Sequence, residues 1–474
     1  MTAPSRKTAL GRAAVLALAM AFPVSTMAES LSDAMVQAYD SSPLLEQQRA
    51  LLRATDEDVA VAVSALRPIV SGQASYSKTL TITDERPTLF SSGDLGRDRS
   101  TTTSSSLALI LQYTLLDGGQ RYLRLSAAKE AVLATRFGLV QQEQAVLLDA
   151  VSAYLNLRLA VLTVDVRENN VRLITQQLRA AEDRFEVGEV TRTDVALAQS
   201  RLASARSLLA AARGQVDVAR ENYRLTVGVL PTGVLQAPPA PPALPPSVDR
   251  AQALALQIHP LILSGQHEIT AAVLLADAAE ADRLPSIDLE GQLSYSRPDT
   301  STANIGLVGR VPIYNGGRLS ALNRAAIANA QATRAALNQQ SRVIVDGVGA
   351  AWAALEIARA QIVASREGVR AAELAFEGFR EEALLGARTT LDVLDSEQEL
   401  LDARTAVLEA ETDAQLAVYQ VLASIGLLTT DHLGLTVERY DPTEYYRAVS
   451  NAPAISPEGQ GGRLDRVLRR FGRN

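Results

Sequence analysis

Two short stretches of the sequence carry the same polar residues at the same spacing. GEVTRTDV (188–195) and GARTTLDV (386–393) each hold a glycine, a threonine three residues later and an aspartate three residues after that. Threonine and aspartate at this spacing can cap the first turn of a helix. The second stretch adds Arg388, which has no basic counterpart in the first. The pattern predicts two hairpin turns, at Gly188 and Gly386, that differ at the position of Arg388, where the first copy has Val190.

The polar side chains at these turns are the candidate functional residues: Thr193, Asp194, Arg388, Asp392 and Asp395. Helix capping explains Asp194 and Asp392 as well as an ionic role does, and the two roles are compatible. Asp395 lies beyond the capping positions, on the side of Arg388 and Asp392, which favours an ionic role for its carboxylate. A guanidinium can donate to a carboxylate and a hydroxyl at once, so Arg388 could join two hairpins.

Other chemistry is poorly represented in the sequence. There is no cysteine, and the three histidines have no metal-binding spacing with carboxylates. No nucleophile elbow, phosphate-binding loop or dinucleotide fingerprint occurs. Acidic residues exceed basic ones, with a net charge of −7, which argues against a nucleic-acid surface. We therefore expect no catalytic residues, no metal, no cofactor and no nucleic-acid partner.

The N-terminus predicts export from the cytoplasm. Residues 1–28 contain a basic start, ten apolar residues and a small-residue site that ends at Ala28, which together are typical of a cleaved signal peptide. Ten apolar residues are too few for a transmembrane helix, which needs about 20. No later stretch looks long and apolar enough either, so no transmembrane helix is expected.

The hairpin turns belong to a longer internal repeat. LLDGGQR (115–121) matches IYNGGRL (313–319) at the same offset of 198 residues as the hairpin turns. This places four glycines at equivalent strand–helix turns: Gly118, Gly119, Gly316 and Gly317. The proline-rich stretch between the two repeats predicts an extended connecting segment. The predicted organisation is a signal peptide (1–28), a first repeat (29–228), a linker (229–247), a second repeat (248–430) and a partly disordered tail (431–474) that has five arginines among its last twelve residues.

Each repeat contains a strand pair before its Gly-Gly turn. Apolar and polar residues alternate over about ten residues in four segments, which gives each strand one apolar and one mostly polar face. A soluble sheet would show the same alternation, but no large separate core exists to cover the apolar faces. A membrane barrel, with lipid outside and water inside, fits better. Four strands cannot close a barrel, since the smallest have about eight, whereas three chains would give twelve.

A long helical pattern follows each Gly-Gly turn. Residues 120–187 lack proline and repeat apolar residues at intervals of seven, which predicts a helix roughly 100 Å long. A second helix, 193–227, has a seam with alanine at every second position, and the second repeat preserves it. Each repeat is thus a strand pair fused to an antiparallel helical hairpin, preceded by shorter helices at about 30–65 and 248–283. The fold class is an α+β membrane protein.

These features together resemble the TolC family of outer-membrane channel-tunnel proteins, from residue 29 to about 430. The resemblance implies a trimer with one twelve-stranded barrel in the outer membrane and a helical tunnel in the periplasm. It also implies that Arg388 bonds to Thr193 and Asp194 to hold the periplasmic entrance shut, with Asp392 and Asp395 forming acidic rings. One position departs from the family: its gate tyrosine is Ala383 here, so this gate lacks one hydrogen bond.

The function implied by the resemblance is an exit duct for efflux of small molecules, type I protein secretion, or both. Its expected partners are a periplasmic adaptor (membrane fusion) protein, an inner-membrane transporter of the ABC or RND type, and outer-membrane lipid. The alternative from another class is a soluble periplasmic coiled-coil scaffold or adaptor whose strands form a small sheet.

Overall fold

The computed structural model describes residues 29–84, 97–231, 233–297 and 300–452. The first half contains α1 (Leu31–Ser41), α2 (Pro43–Ser64), β1 (Ile69–Asp84), β2 (Arg97–Leu116), α3 (Gln120–Glu186) and α4 (Arg192–Val227). The second half repeats this order with α5 (Val248–Ile258), α6 (Pro260–Ala281), β3 (Ser286–Arg297), β4 (Thr300–Arg310), α7 (Arg318–Leu384) and α8 (Thr390–Ile425), and then adds α9 (Pro442–Val449). The expected signal peptide and the arginine-rich end of the tail lie outside the described residues.

The two halves have helices of equal length. Both α3 and α7 have 67 residues, which corresponds to about 100 Å, and both α4 and α8 have 36. The bounds of α3 and α4 lie within one residue of the predicted ones. Each predicted short helical segment is instead a pair of helices, because Pro43 and Pro260 each start a new helix. Proline lacks the amide hydrogen that a helix interior needs but is well suited to a first turn.

The four strands form one antiparallel sheet in the order β1-β2-β3-β4, so the two repeats join through β2 and β3. β1 and β2 have 16 and 20 residues and are longer than the ten or so expected. Among the described residues, neither β1 nor β4 pairs with a second strand, so both sheet edges are open there.

The two faces of the sheet differ in chemistry. On one face Leu111 stands opposite Val70 on β1, in line with Leu107 and Leu109 along β2, and Leu107 is 61% exposed. On the other face serine hydroxyls pair across the strands, with 2.8 Å between the oxygens of Ser77 and Ser104. The described chain therefore leaves a broad apolar surface uncovered while its polar face is hydrogen-bonded internally.

Buried tyrosines on α3 and α4 hold together the segment before α1 and the linker between the repeats. The Tyr154 hydroxyl lies 2.9 Å from the carbonyl oxygens of both Glu29 and Gln236, and the Tyr223 hydroxyl donates to the Glu29 carboxylate. Both tyrosine side chains are fully buried. A buried carbonyl without a donor is costly, so these hydroxyls fix where the linker crosses the helices.

One helix differs from the sequence expectation about membrane spans. Among the described residues, α3 contains an 18-residue window with a mean hydropathy of 1.6, enough by length and composition to cross a membrane. Some apolar side chains of α3, such as Leu147, Val151 and Tyr154, are fully buried, whereas others, such as Tyr122 and Phe185, are exposed. Core helices of soluble domains reach the same hydropathy, so length and composition alone do not make α3 a membrane span.

The first part of the predicted tail is folded against the first repeat. The Tyr445 hydroxyl on α9 donates to the Glu57 carboxylate on α2 at 2.8 Å. Arg67, which follows α2, donates to the carbonyl oxygens of Asn451 and Ala452. The chain after α8 thus returns to the level where the helices meet the strands.

The Gly-Gly turns between strands and helices allow a matched prediction. Gly118 and Gly316 have φ values of +66° and +65°, so alanine at either position costs about 1–2 kcal/mol of backbone strain. A Cβ atom on Gly118 would lie 2.6 Å from Leu284 Cδ1, whereas one on Gly316 would meet nothing within 4 Å. Because the half-exposed Leu284 side chain must turn aside, Gly118→Ala should cost about 0.5–1.5 kcal/mol more than Gly316→Ala. Thermal unfolding of the two variants measures this difference, and equal losses would contradict it.

Candidate functional site: the hairpin tips

The two helical hairpins end in turns of the same geometry. Gly188 and Gly386 have φ values of +80° and +76°, and the amide after each glycine donates to a carbonyl in the last turn of the preceding helix. These bonds run from Glu189 to Arg184 at 2.8 Å and from Ala387 to Glu382 at 2.9 Å. The repeated sequence therefore encodes one repeated turn that reverses the chain at each tip.

Both aspartates three residues after the turn threonine form capping boxes. The Thr191 hydroxyl lies 2.7 Å from Asp194 Oδ2, and the Thr389 hydroxyl lies 2.9 Å from Asp392 Oδ2. Hydrogen bonds from the Thr191 side chain and backbone lower the pKa of Asp194, and those from the backbone and side chain of Thr389 lower the pKa of Asp392. Both carboxylates are therefore charged at neutral pH. Thr193 lies beside the first box and is exposed.

Arg388 contacts residues of its own hairpin. Its Nε donates to Glu382 Oε2 at 2.8 Å, and its guanidinium carbon lies 4.5 Å from the centre of the Phe379 ring. Both partners belong to α7. Within the described part of this single chain, no hydrogen bond joins Arg388 to Thr193 or Asp194. The contact implied by the resemblance stays a prediction for the assembled protein.

The contacts that join the two hairpins near the tip involve other residues. Arg201 on α4 forms an ion pair with Asp395 on α8, with side chains 36% and 55% exposed. Asn170 on α3 donates to Glu397 Oε1 at 3.3 Å, and these residues are only 5% and 3% exposed. Of these four residues, only Asp395 was expected from the sequence to have a functional role.

No simple sequence signal could have found the other three. α8 buries adjacent residues such as Val393 and Leu394, and 15 of its 36 residues are buried. A helix that packs on two sides has no single apolar stripe, so hydrophobic periodicity cannot show which polar residue faces the other hairpin. An arginine or an asparagine on a long helix is ordinarily a solvated residue, and only the tertiary contact distinguishes these two.

Burial of Glu397 predicts a pH dependence of the contact between the hairpins. Desolvation raises its pKa to about 7, and the Asn170 hydrogen bond offsets only part of this effect. The packed arrangement thus favours the protonated acid. The stability that buried Glu397 adds to the packing between the hairpins is fully present below the ordinary pKa near 4.5. This stability is lost as the pH rises through about 7.

We expect amide hydrogen exchange at the start of α8 to accelerate between pH 5 and 8 by more than the intrinsic exchange rate predicts. The variant Glu397→Gln keeps the shape of the side chain but cannot ionise, so its corrected exchange should be independent of pH over this window. An identical pH profile in the wild type and in Glu397→Gln would show that another group is responsible.

Comparisons with known proteins agree with this architecture. A family model described as "Outer membrane efflux protein" matches residues 34–229 and 252–427. The outer membrane efflux protein BepC of Brucella suis is 35% identical over 435 residues, covering 90% of this chain and 92% of BepC. The outer membrane protein TolC of Vibrio cholerae is 25% identical over 430 residues, covering 85% and 92% of the two chains.

A solved structure shows the same fold. The Campylobacter jejuni CmeC outer membrane channel superimposes with a TM-score of 0.73 at 17% identity, covering 90% of each chain. The long hairpins, the strand pairs and the duplicated order of elements are thus accounted for together, and the soluble scaffold fits less well. The chain belongs to the outer membrane efflux protein family, as a TolC-type channel protein of the outer membrane whose helical tunnel lies in the periplasm.

Proposed function

We propose that three copies of the chain close one twelve-stranded barrel and continue it as a helical tunnel. The observation that carries this proposal is the four-stranded sheet, which has two open edges and one exposed apolar face. An open edge cannot remain unpaired in lipid, where each free backbone group costs several kcal/mol. Pairing β4 of one chain with β1 of the next satisfies both edges and turns the apolar faces toward lipid.

The assembled protein would act as a passive exit duct rather than an enzyme. We infer that it carries small molecules, secreted protein or both, and BepC is named as an efflux protein. Opening would follow engagement of the hairpin tips by a periplasmic adaptor protein and an inner-membrane transporter of the ABC or RND type. The equal length of the two hairpins supports this proposal, because helices of about 100 Å extend far from the barrel.

The proposed gate is the set Thr193, Asp194, Arg388, Asp392 and Asp395. In a threefold assembly Asp392 and Asp395 would each form a ring of three carboxylates, which favours cations over anions. Capping of Asp194 and Asp392 does not conflict with this role, because an aspartate that caps a helix still presents its charge to the entrance. Ala383 offers no hydrogen bond at the position of the family's gate tyrosine.

Cell fractionation with native electrophoresis tests the assembly. We expect the mature protein in the outer-membrane fraction as a detergent-stable trimer, and the purified trimer should form ion-conducting channels in planar bilayers. A monomer recovered in the soluble periplasmic fraction would contradict the duct and favour the scaffold. Comparing dye accumulation with the secreted proteins of a deletion strain would then separate efflux from secretion.

A further inference from the structure

Four side chains near the tips connect the first hairpin to the second, and we call them the clasp: Asn170, Arg201, Asp395 and Glu397. Asp395 and Glu397 lie two residues apart in the second turn of α8 but contact different helices. Asp395 pairs with Arg201 on α4, and Glu397 accepts a hydrogen bond from Asn170 on α3. α8 is therefore held to both helices of the first hairpin at one level.

The clasp differs from the other ion pairs along these helices. Arg213–Glu168, Arg366–Glu411 and Arg404–Glu373 each join the two helices of a single hairpin. Such pairs can persist if the hairpins move apart as rigid units. Arg201–Asp395 is the one ion pair between the hairpins within residues 120–227 and 318–425, so separation of the hairpins must break it.

The buried half of the clasp is built so that it can be released. Glu397 is almost fully buried, yet its Oε2 atom has no hydrogen-bond partner. A buried polar atom without a partner carries a desolvation cost that water removes as soon as the contact opens. The Asn170 hydrogen bond therefore orients α8 but adds little net stability to the closed arrangement. The exposed Arg201–Asp395 ion pair adds an attraction that is weak in a single chain. Three copies would act together in the proposed trimer.

We propose that the clasp holds the second hairpin against the first, and that Arg201 and Asn170 are positioning residues for the closed periplasmic entrance. This inference rests on the proposed function. It adds a second set of contacts that would keep the periplasmic entrance closed, separate from those of the turn residues. Asp395 then has two roles, since it would contribute ring charge and also accept the Arg201 pair. Arg201 and Asn170 contribute nothing to the acidic rings, so they report on the clasp alone.

Single-channel conductance in planar bilayers tests the clasp with a matched control. We expect Arg201→Gln to raise the conductance of the trimer several-fold over the wild type. Arg213→Gln removes a similar exposed ion pair from the same helix, but within one hairpin, and should leave conductance unchanged. The double variant Arg201→Asp with Asp395→Arg should bring conductance back down from the Arg201→Gln level, because the exchanged charges can still pair, and its ion selectivity should shift toward anions because the ring charge changes sign.

The variant Asn170→Ala tests the buried half, because it removes the hydrogen-bond donor to Glu397 without changing the acidic rings. We expect Asn170→Ala to raise the conductance of the trimer over the wild type, and wild-type conductance for this variant would show that the buried bond contributes nothing to closure. Wild-type conductance for Arg201→Gln in intact trimers would overturn the clasp, as would equal increases for Arg201→Gln and Arg213→Gln. If the wild-type trimer formed no channel at all, the proposed function itself would fail.

Discussion

Replacing Leu111 with arginine should sharply reduce the amount of detergent-stable trimer in the outer membrane. Leu111 lies in the middle of the apolar face, opposite Val70 on β1 and Gly291 on β3. In the proposed barrel this face meets lipid, where an arginine near the membrane midplane costs about 2–4 kcal/mol. Each trimer would carry this cost three times. Quantitative electrophoresis of unheated outer-membrane fractions measures the effect.

Ala108→Arg is the matched control for the Leu111 variant. Ala108 lies on the same strand but on the opposite face, beside Gln73 of β1 and Ser294 of β3. An arginine there would project into the water-filled interior and should leave the trimer yield close to normal. Equal losses for the two variants, or a normal yield for Leu111→Arg, would show that the apolar face does not meet lipid.

Replacing Arg388 with serine should markedly raise single-channel conductance if this arginine ties neighbouring hairpins together in the assembled entrance. With Ala383 unable to contribute a phenolic bond, the arginine should carry more of the closure than in relatives that have the tyrosine. Asp194→Ala should raise conductance comparably, because it removes the proposed acceptor. Asp395→Ala should in addition change ion selectivity, because it removes a ring of charge.

The variant Thr191→Ala separates gating from capping in this experiment. It removes the hydroxyl that caps α4, at a cost of about 1 kcal/mol, while leaving the Asp194 carboxylate in place. We expect its conductance to stay near the wild-type value. If Arg388→Ser conducts like the wild type in properly folded trimers, the gate assignment is wrong. Arg388 would then serve only its own hairpin, through Glu382 and Phe379.

The elements of the fold were predictable because their signals are local. Hydrophobic repeats and the absence of proline define α3 and α4, and alternation defines the strands. Strand length was underestimated because the outer part of β2, residues 97–106, consists mostly of serine and threonine and lacks alternation, whereas the outer part of β1 still alternates at Leu80 and Ile82. Those parts extend as strands because each pairs with the other, from Ser77–Ser104 outward.

The tip was predictable only in part, for a different physical reason. Capping boxes depend on residues three positions apart, so Thr191–Asp194 and Thr389–Asp392 are visible in the sequence. The Arg201–Asp395 pair spans 194 positions and the Asn170–Glu397 bond spans 227. Contacts of that range depend on how two long hairpins are aligned, and a single helix pattern contains no information about this alignment. The internal sequence repeat therefore predicts that two hairpins form, but it does not predict which residues of one hairpin lie beside which residues of the other.

The open edges of the sheet constrain the order in which the protein reaches its final state. In a lone chain, the outer edges of β1 and β4 have no partner strand among the described residues. Such a chain can neither enter the bilayer alone nor remain long in water, where exposed edges recruit other strands. Association and insertion must therefore be nearly simultaneous, and the biogenesis rate should depend steeply on the local concentration of newly exported chains. Under this constraint, under-expression would reduce the number of channels more than proportionally.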